Sequence, residues 1–432
     1  MTRPSNQRRR LWLALWRSWQ EEITLPGKLV VYAGLIGAVG MVSVRIPMYF
    51  VPVGLGALFV VAMFAGLCFW PKVSIAGRFP EKVIVGQPVT AQFTVRPESR
   101  RPIFDLSLGL FELPPALCEL HRDSTVRNLS RDETAQVPVT LLALRRGLYE
   151  LPSLRAYTTF PFNLFRIGLS RRPMGPLLVL PAFEPLARLD LPASRRYQPG
   201  GIALTSNVGE SPEYVGNREY VPGEPARRLD FRSWARLGRP VVREYQEEYY
   251  CRIALILDTW TGADRFAATR RGALRPWSSA SRRGAHRAAA GLEGAVSLAA
   301  SVADALCNGE YVIDLFAAGP ELYMFRSGRH TAHFENVLEI LACVEPSPRD
   351  PFPTITPAVA EEAGNLSAAV CVFLDWDAAR ADLVRTILEA GCGLQAIVVR
   401  DGPTTEPCLA IDGARVRQVT PAEVAAGELE IA

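Results

Sequence analysis

The chain has 432 residues, 49% of them hydrophobic and 21% charged, with a net charge of +4. That length calls for two or three domains rather than one, and so small a net charge gives no general basis for nucleic-acid binding. Eight scattered cysteines with no CxxC pair, and only four histidines, argue against a zinc site. Cys251 and Cys371 sit inside apolar runs, where a thiol acts as a small buried hydrophobe; this favours a reducing compartment.

Residues 1–28 form a basic arm holding Arg3, Arg8, Arg9, Arg10, Arg17 and Lys28. Trp12, Trp16 and Trp19 fall on one helical face, as in a helix lying at a membrane interface. Leu29 to Val44 and Met48 to Trp70 carry no charge, with Arg45-Ile46-Pro47 between them. A span needs roughly 20 apolar residues. The second stretch meets that, and Lys28 and Arg45 can extend the first by reaching the interfaces. Residues 29–70 therefore read as a transmembrane helical hairpin. A cleaved leader fits less well: no small-residue cleavage site follows a short apolar core. Lys72, Arg78 and Lys82 follow the hairpin, while its turn holds only Arg45, so both ends face the cytoplasm.

Residues 71–192 change character. Lys82–Val85, Val89–Val95, Leu106–Leu110 and Ala135–Leu141 alternate apolar and polar residues, the mark of half-buried strands. Gly86-Gln87 and Arg145-Arg146-Gly147 punctuate them as turns. Short antiparallel strands of this kind predict a β-sandwich.

Residues 193–250 contain the densest mixture of charge and aromatics. Between Tyr220 and Glu248 the chain sets Arg227, Arg228, Arg232, Arg236, Arg239 and Arg243 among Glu224, Asp230, Glu244, Glu247 and Glu248, with Phe231, Trp234 and Tyr245 interleaved. Arginine's planar fork suits bidentate pairing and aromatic stacking. The segment reads as an ion-pair scaffold or a docking surface, and Arg227, Asp230, Arg236 and Arg243 are expected to form a buried ion-pair network.

Residues 251–432 alternate buried strands and helices. Arg252–Leu257 is an apolar strand ending at Asp258, Val370–Leu374 another ending at Asp375, and Tyr311–Ala317, Leu322–Phe325 and Leu394–Val399 read as further strands. Gly291–Leu306, Thr331–Cys343 and Arg380–Ala390 read as helices. The alternation predicts a mostly parallel sheet covered on both faces, with any ligand beyond the strands' carboxyl ends, where Asp258 and Asp375 lie. Residues 259–288 read as a long basic loop with Arg265, Arg270, Arg271, Arg275, Arg282, Arg283 and Arg287, a solvated loop or one that touches anionic lipid.

No phosphate-binding GxxxxGK[ST], GxSxG or HExxH motif occurs. The histidines, His121, His286, His330 and His333, stand in polar or loop-like surroundings, and Glu247-Glu248 sit beside arginines that favour the ionised form. No nucleophile and base pair emerges, so no catalysis is expected.

The spacing Tyr220-x-x-Gly223-Glu224-x-x-Arg227-x-Leu229-Asp230-Phe231-x-x-x-Ala235-Arg236 resembles the signature of domain-of-unknown-function family 58, Y-x-x-G-D-x-x-R-x-I-D-W-x-x-[ST]-A-R. Gly216-Asn217 and Arg243 to Glu247 extend the match. Glu224, Leu229 and Phe231 replace Asp, Ile and Trp in kind, whereas Trp234 adds bulk where the family has a small hydroxyl. Arg145-Arg146-Gly147-Leu148-Tyr149 resembles that family's R-R-G-x-Y turn. Thr159 to Phe165 resembles its D-P-F-G-L-F segment, with Asn163, a residue that tolerates a left-handed turn, in place of Gly. Residues 251–432 resemble a von Willebrand factor A-like domain, whose D-x-S-x-S motif holds a divalent cation. Here it reads Asp258-Thr259-Trp260-Thr261-Gly262, so both serine positions are lost; a degenerate Mg or Ca site at Asp258 and Asp375 is the alternative to no cofactor. The resemblance implies a membrane-anchored α+β multidomain protein with a two-helix transmembrane hairpin, a β-sandwich and an α/β, Rossmann-like domain. It further implies a bacterial inner-membrane adaptor whose soluble domains face the cytoplasm, working with other proteins and with a MoxR-type AAA+ ATPase. Its signature residues are Tyr220, Gly223, Glu224, Arg227, Asp230, Phe231, Arg236, Arg243 and Glu247. A divalent-metal-dependent adhesion or sensing module is the other reading.

Overall fold

Apolar helices come first, then antiparallel strands, then a sheet wrapped by helices. A computed structural model describes residues 22–39, 49–99, 101–120, 124–168, 170–191, 214–222, 229–245, 252–260, 279–309, 311–318, 322–326, 333–347, 349–408, 411, 413–427 and 429–431. The chain divides into two units, Met1–Ala182 with Leu338–Val344, and Phe183–Val337 with Glu345–Ala432.

The first unit opens with helices Leu25–Val39 (α1) and Phe50–Cys68 (α2). Among the described residues two helices are long and apolar enough to cross a membrane, Phe50–Cys68 and Ala290–Asn308. They are not the expected pair. The 15-residue α1 is shorter than a span, and the expected turn at 45–47 and the tryptophans of the arm lie outside the described residues. The two long helices also differ in surroundings: 11% of the α2 window is buried, against 61% of the other. Val53, Val60, Phe64 and Leu67 of α2 are exposed, as are Leu29, Leu35 and Ile36 of α1.

Strands follow: Val73–Ala76 (β1), Lys82–Ile84 (β2), Pro88–Pro97 (β3), Ile103–Leu110 (β4), Leu117–Leu120 (β5), Val126–Leu129 (β6), Ala135–Ala143 (β7), Gly147–Glu150 (β8), Leu154–Thr158 (β9), Arg171–Arg172 (β10) and Pro176–Leu180 (β11). They form antiparallel sheets ordered β1-β3-β7-β5 and β10-β9-β4-β6, and a three-stranded sheet β2-β11-β8. The alternation seen in the sequence is the cause: Ala91, Phe93 and Val95 of β3 and Val137, Val139 and Leu141 of β7 point inward, against Leu106, Leu110 and Leu154. A fully buried Leu such as Leu106 contributes about 1.5–3 kcal/mol over an exposed one. Gly86 (φ +77) and Gly147 (φ +137) make the expected turns in conformations that favour glycine. The buried Arg146 donates to the carbonyl oxygens of Leu341 and Val344 (3.1 and 2.9 Å).

The Thr159–Phe165 segment joins the strands to the helices. Asn163 does take the left-handed conformation (φ +53). The Thr24 N–H donates to the Leu164 carbonyl (3.1 Å) and Arg166 N–H to that of Glu22 (2.7 Å). Gly27 permits this approach, since a Cβ there would lie 2.2 Å from the Leu164 oxygen. Ring pairs complete the joint: Phe59–Phe165 at 4.4 Å, Phe69–Phe160 at 5.3 Å and Phe104–Phe160 at 5.0 Å.

The second unit contains Arg188–Leu189 (β12), Tyr214–Glu219 (β13), the helix Phe231–Leu237 (α3), Val241–Tyr245 (β14), Arg252–Leu257 (β15), Ser279–Asn308 (α4), Val312–Ala318 (β16), Leu322–Arg326 (β17), Phe352–Ala363 (α6), Ala368–Phe373 (β18), Ala378–Glu389 (α7), Gly393–Val399 (β19), Ala414–Val419 (β20), Pro421–Ala426 (α8) and Glu430–Ile431 (β21). His333–Cys343 (α5) lies between β17 and α6 in the chain. The main sheet runs β17-β16-β15-β18-β19-β20, parallel except for the edge pair β16–β17. This is the doubly wound order, whose switch point falls between β15 and β18. Phe352, Ile355, Val359, Leu383, Val384 and Ile387 of α6 and α7 pack on Ala254, Ile256, Cys371 and Phe373.

Three expectations change here. The helix α4 begins at Ser279 and has 30 residues, so Arg282, Arg283, His286 and Arg287 belong to it and not to a loop; Ala and Arg are good helix formers. Helix α6 was hidden by its prolines: Pro353 stands in the first turn, where no N–H is needed, and Pro357 lies inside. Its apolar residues Phe352, Ile355, Val359 and Ala363 nonetheless keep helical spacing. Strand β20 was hidden by charge, because Arg415 and Arg417 alternate along an edge strand that is half exposed.

Candidate functional site

Two carboxylates organise the second unit, one in the signature and one at the switch point. In the signature, β13 pairs antiparallel with β14, with Asn217 opposite Arg243 and Glu219 opposite Val241. Val241 and Val242 are buried and anchor the ribbon. Leu229 bridges to Val242, and the Asp230 N–H donates to the Val241 carbonyl (2.8 Å). This places Asp230 as the cap of α3.

Asp230 Oδ1 accepts from the backbone N–H groups of Arg232 (3.1 Å) and Ser233 (3.3 Å), satisfying donors that a helix start leaves open. Its Oδ2 accepts from Ser233 Oγ (2.8 Å) and Asn217 Nδ2 (3.3 Å). Asn217 also donates to Ser233 Oγ (2.8 Å). Arg243 approaches Oδ1 only to 3.6 Å and is 51% exposed. The Ser233 hydroxyl and N–H, then Asn217 and Arg243, hold the carboxyl well below the usual range against a smaller effect of burial. Gly238, at φ +68, closes the helix by donating to the Trp234 carbonyl.

Of the network expected around Asp230, Arg227 lies outside the described residues. Arg236 is exposed on α3, and Arg243 is a peripheral partner. The binding at Asp230 comes from Ser233 and Asn217. Ser233 was legible as the third helical residue after an Asp cap, a spacing where a polar side chain can answer the cap. Tyr220 donates its N–H to the Pro240 carbonyl (3.1 Å). Gly223, Glu224, Arg227 and Glu247 lie outside the described residues.

The outer side of α3 is apolar and aromatic. Phe231 is 65% exposed, Trp234 37% and Leu237 49%, and the first two rings stack 6.0 Å apart at 21°. The bulk of Trp234 therefore points away from the cap and needs no repacking beneath it. Arg232, Arg236 and Arg239 are exposed as well, and Arg239 pairs with Glu219 (2.6 Å).

At the switch point, Asp258 is 1% exposed. Its Oδ1 accepts from Trp260 N–H (2.8 Å); its Oδ2 accepts from Leu374 N–H (3.0 Å) and from Arg380 Nε (2.8 Å) and a terminal nitrogen (2.6 Å). Arg380 also pairs with Asp377, the cap of α7, and donates to the Trp260 carbonyl (3.3 Å). Its guanidinium lies 5.1 Å from the centre of the Trp260 ring and 5.0 Å from that of Phe352. Burial pushes the Asp258 carboxyl up, against the guanidinium and the two N–H groups. For Arg380 burial works against the charge, but Asp258 and Asp377 outweigh it and raise its pKa. The two tendencies on Asp258 conflict, and the geometry decides for the ion pair: donors converge on both oxygens, leaving none for a proton.

Asp375 accepts from Thr405 N–H (2.8 Å) and Oγ1 (2.7 Å) and from Trp376 N–H (2.9 Å), and pairs with Arg400. Burial works to raise its pKa, but Thr405, Arg400 and Trp376 outweigh it and hold it below the usual range. A divalent cation would need oxygen ligands about Asp258, yet a guanidinium stands there, and the position two residues on is Trp260. Among the described residues no group of three or more His, Cys, Asp or Glu side chains is placed to hold a metal. The residues present do not fit a divalent ion at Asp258. His121, His286 and His330 lie outside the described residues, or in the case of His286 outside the described side chains. Sequence reading missed Arg380 as a site residue. Its signal was position: a cation in the first turn of a helix opposes the helix dipole unless carboxylates hold it.

No family model matches the chain, and no curated protein matches it. Among solved structures, a fragment of native α2-macroglobulin from Escherichia coli, running from domain MG7 to the C-terminus, is 14% identical; the likeness covers 27% of this chain and 17% of that one, with a TM-score of 0.21. A CARDB domain from Pyrococcus furiosus is 10% identical over 26% of this chain and 95% of its own, with a TM-score of 0.16. A cohesin module of a family 33 glycoside hydrolase from Clostridium perfringens is 11% identical over 25% and 97%, also with a TM-score of 0.16. Likenesses at these scores carry no weight for fold or function.

Proposed function

We propose that the chain is a membrane-anchored protein-interaction module, a relative of domain-of-unknown-function family 58, that docks an acidic, apolar segment of a partner protein on the outer side of α3. The observation that carries this reading is the stacked, exposed Phe231–Trp234 pair on a helix fixed at both ends by Asp230 and Gly238. Aromatic residues and arginine are what interfaces concentrate at their centres. The exposed Arg232 and Arg236 of the same short helix add positive charge near this face, which favours an acidic partner. The partner that the family resemblance suggests is a MoxR-type AAA+ ATPase, with the ATP-driven work belonging to it; this step is analogy. No catalytic role is assigned to this chain.

Anchoring is supported by the exposed apolar surface of α1 and α2, larger than a water-soluble surface tolerates. The positive flanks support the inner membrane with both ends cytoplasmic. The test is affinity capture of the tagged full-length chain from detergent-solubilised membranes, with captured proteins identified by mass spectrometry. The double variant Phe231→Ser, Trp234→Ala should lose an acidic ATPase partner by at least about tenfold while unfolding at the wild-type midpoint. Undiminished capture would remove α3 as the docking face.

A further inference from the structure

We infer that the guanidinium of Arg380 is the resident cation of the α/β sheet, built into the chain at the position where this fold would otherwise take a divalent ion. The place itself is the first reason. Asp258 ends β15 and Leu374 follows β18, the two strands that flank the switch point, and Arg380 donates to the carboxylate between them. In doubly wound sheets this crevice is where ligands and ions collect.

The second reason is how completely the cation is enclosed. Arg380 is 1% exposed. Its Nε and one terminal nitrogen serve Asp258, that same terminal nitrogen also reaches the Trp260 carbonyl, and the other pairs with Asp377. The rings of Trp260 and Phe352 both lie near 5 Å from it, within the range in which an aromatic face attracts a cation. A buried charge is tolerated only when paired, and here every side of the fork has a partner.

The third reason is that the local sequence works against this placement. Asp377 caps α7, so Arg380 stands in the first turn, where the helix dipole repels a cation. An arginine kept in that position is there for the carboxylates. Unlike an exchangeable metal, it stays charged at every accessible pH. The carboxyl edge of the sheet is therefore cation-complete without metal, and a partner's carboxylate finds no open metal coordination position at Asp258.

The test uses the full-length chain in detergent, followed by intrinsic tryptophan fluorescence, to which Trp260 and Trp376 contribute. The wild-type unfolding midpoint should be the same in EDTA and in millimolar Mg²⁺, Ca²⁺ or Mn²⁺. Arg380→Ala, which strands Asp258 as a lone buried charge, should unfold roughly 10 °C lower and should gain stability from added divalent ion. The double variant Asp258→Asn, Arg380→Met removes both charges and should recover most of that loss. Stabilisation of the wild type by any of the three ions, or their binding in calorimetry, would overturn the inference. So would a double variant no more stable than Arg380→Ala, because the loss would then come from packing and not from charge.

Discussion

Asp230 and Asp258 are both capping aspartates with an arginine nearby, and they hold their charge in opposite ways. Asp230 sits in the arginine-rich signature, yet among the described residues its nearest guanidinium is 3.6 Å away and half exposed, and its strong bonds come from Ser233 and Asn217. Asp258 sits in an apolar strand end with one arginine, and that arginine is wholly buried against it. The lesson is that arginine density marks surface and a solitary arginine marks a core. The described signature arginines, Arg232, Arg236, Arg239 and Arg243, are all exposed, while Arg380 alone fills a buried site.

This contrast can be broken by substitution. The largest effect is expected from Asp258→Ala, which leaves Arg380 buried without its main partner; the loss should be about 3–5 kcal/mol, measured by denaturant unfolding. A loss under one kcal/mol would place Asp258 on a level with the signature. A smaller effect, present at neutrality and fading in acid, is expected from Asp230→Asn. The folded-state pKa of Asp230 is depressed, so its stability contribution is fully present above the unfolded value near 4 and is lost as pH falls toward the folded value. Asn still caps a helix but lacks the charge, so the variant should be less stable than the wild type near pH 7 and the difference should shrink on acidification below about pH 4. An unchanged acid profile would deny Asp230 that role. The smallest effect is expected from Arg243→Ala, about 0–0.5 kcal/mol, as for an exposed pair; a larger loss in the same unfolding assay would restore the ion-pair network.

Much of the architecture was legible because burial writes its period into the chain. The inward residues of β3 and β7 alternate strictly, and β15 and β18 are continuous apolar runs that end at aspartates, so the β region, the mostly parallel sheet and the strand-end place of Asp258 and Asp375 could be read. The prolines of α6 and the arginines of β20 obscured those elements, since each residue type is read as a breaker or as surface before its position is known. The candidate site was less legible. Asp258 was found, but its partner lies 122 residues away, and no local spacing joins the two. Ser233 stood at a readable spacing after its cap, but Asn217 was hidden for a related reason: an amide on a neighbouring strand acts through geometry that arginine-counting overlooks.

The joint at Thr159–Ile167 carries a mechanical consequence. Backbone bonds from Thr24 and Arg166, and the rings of Phe59, Phe69, Phe104, Phe160 and Phe165, fasten α1 and α2 to the strands from two sides. Packed rings and a backbone approach with no room for a Cβ at Gly27 leave little play. A rotation of α2 would therefore have to strip these contacts or carry the strands joined to it along.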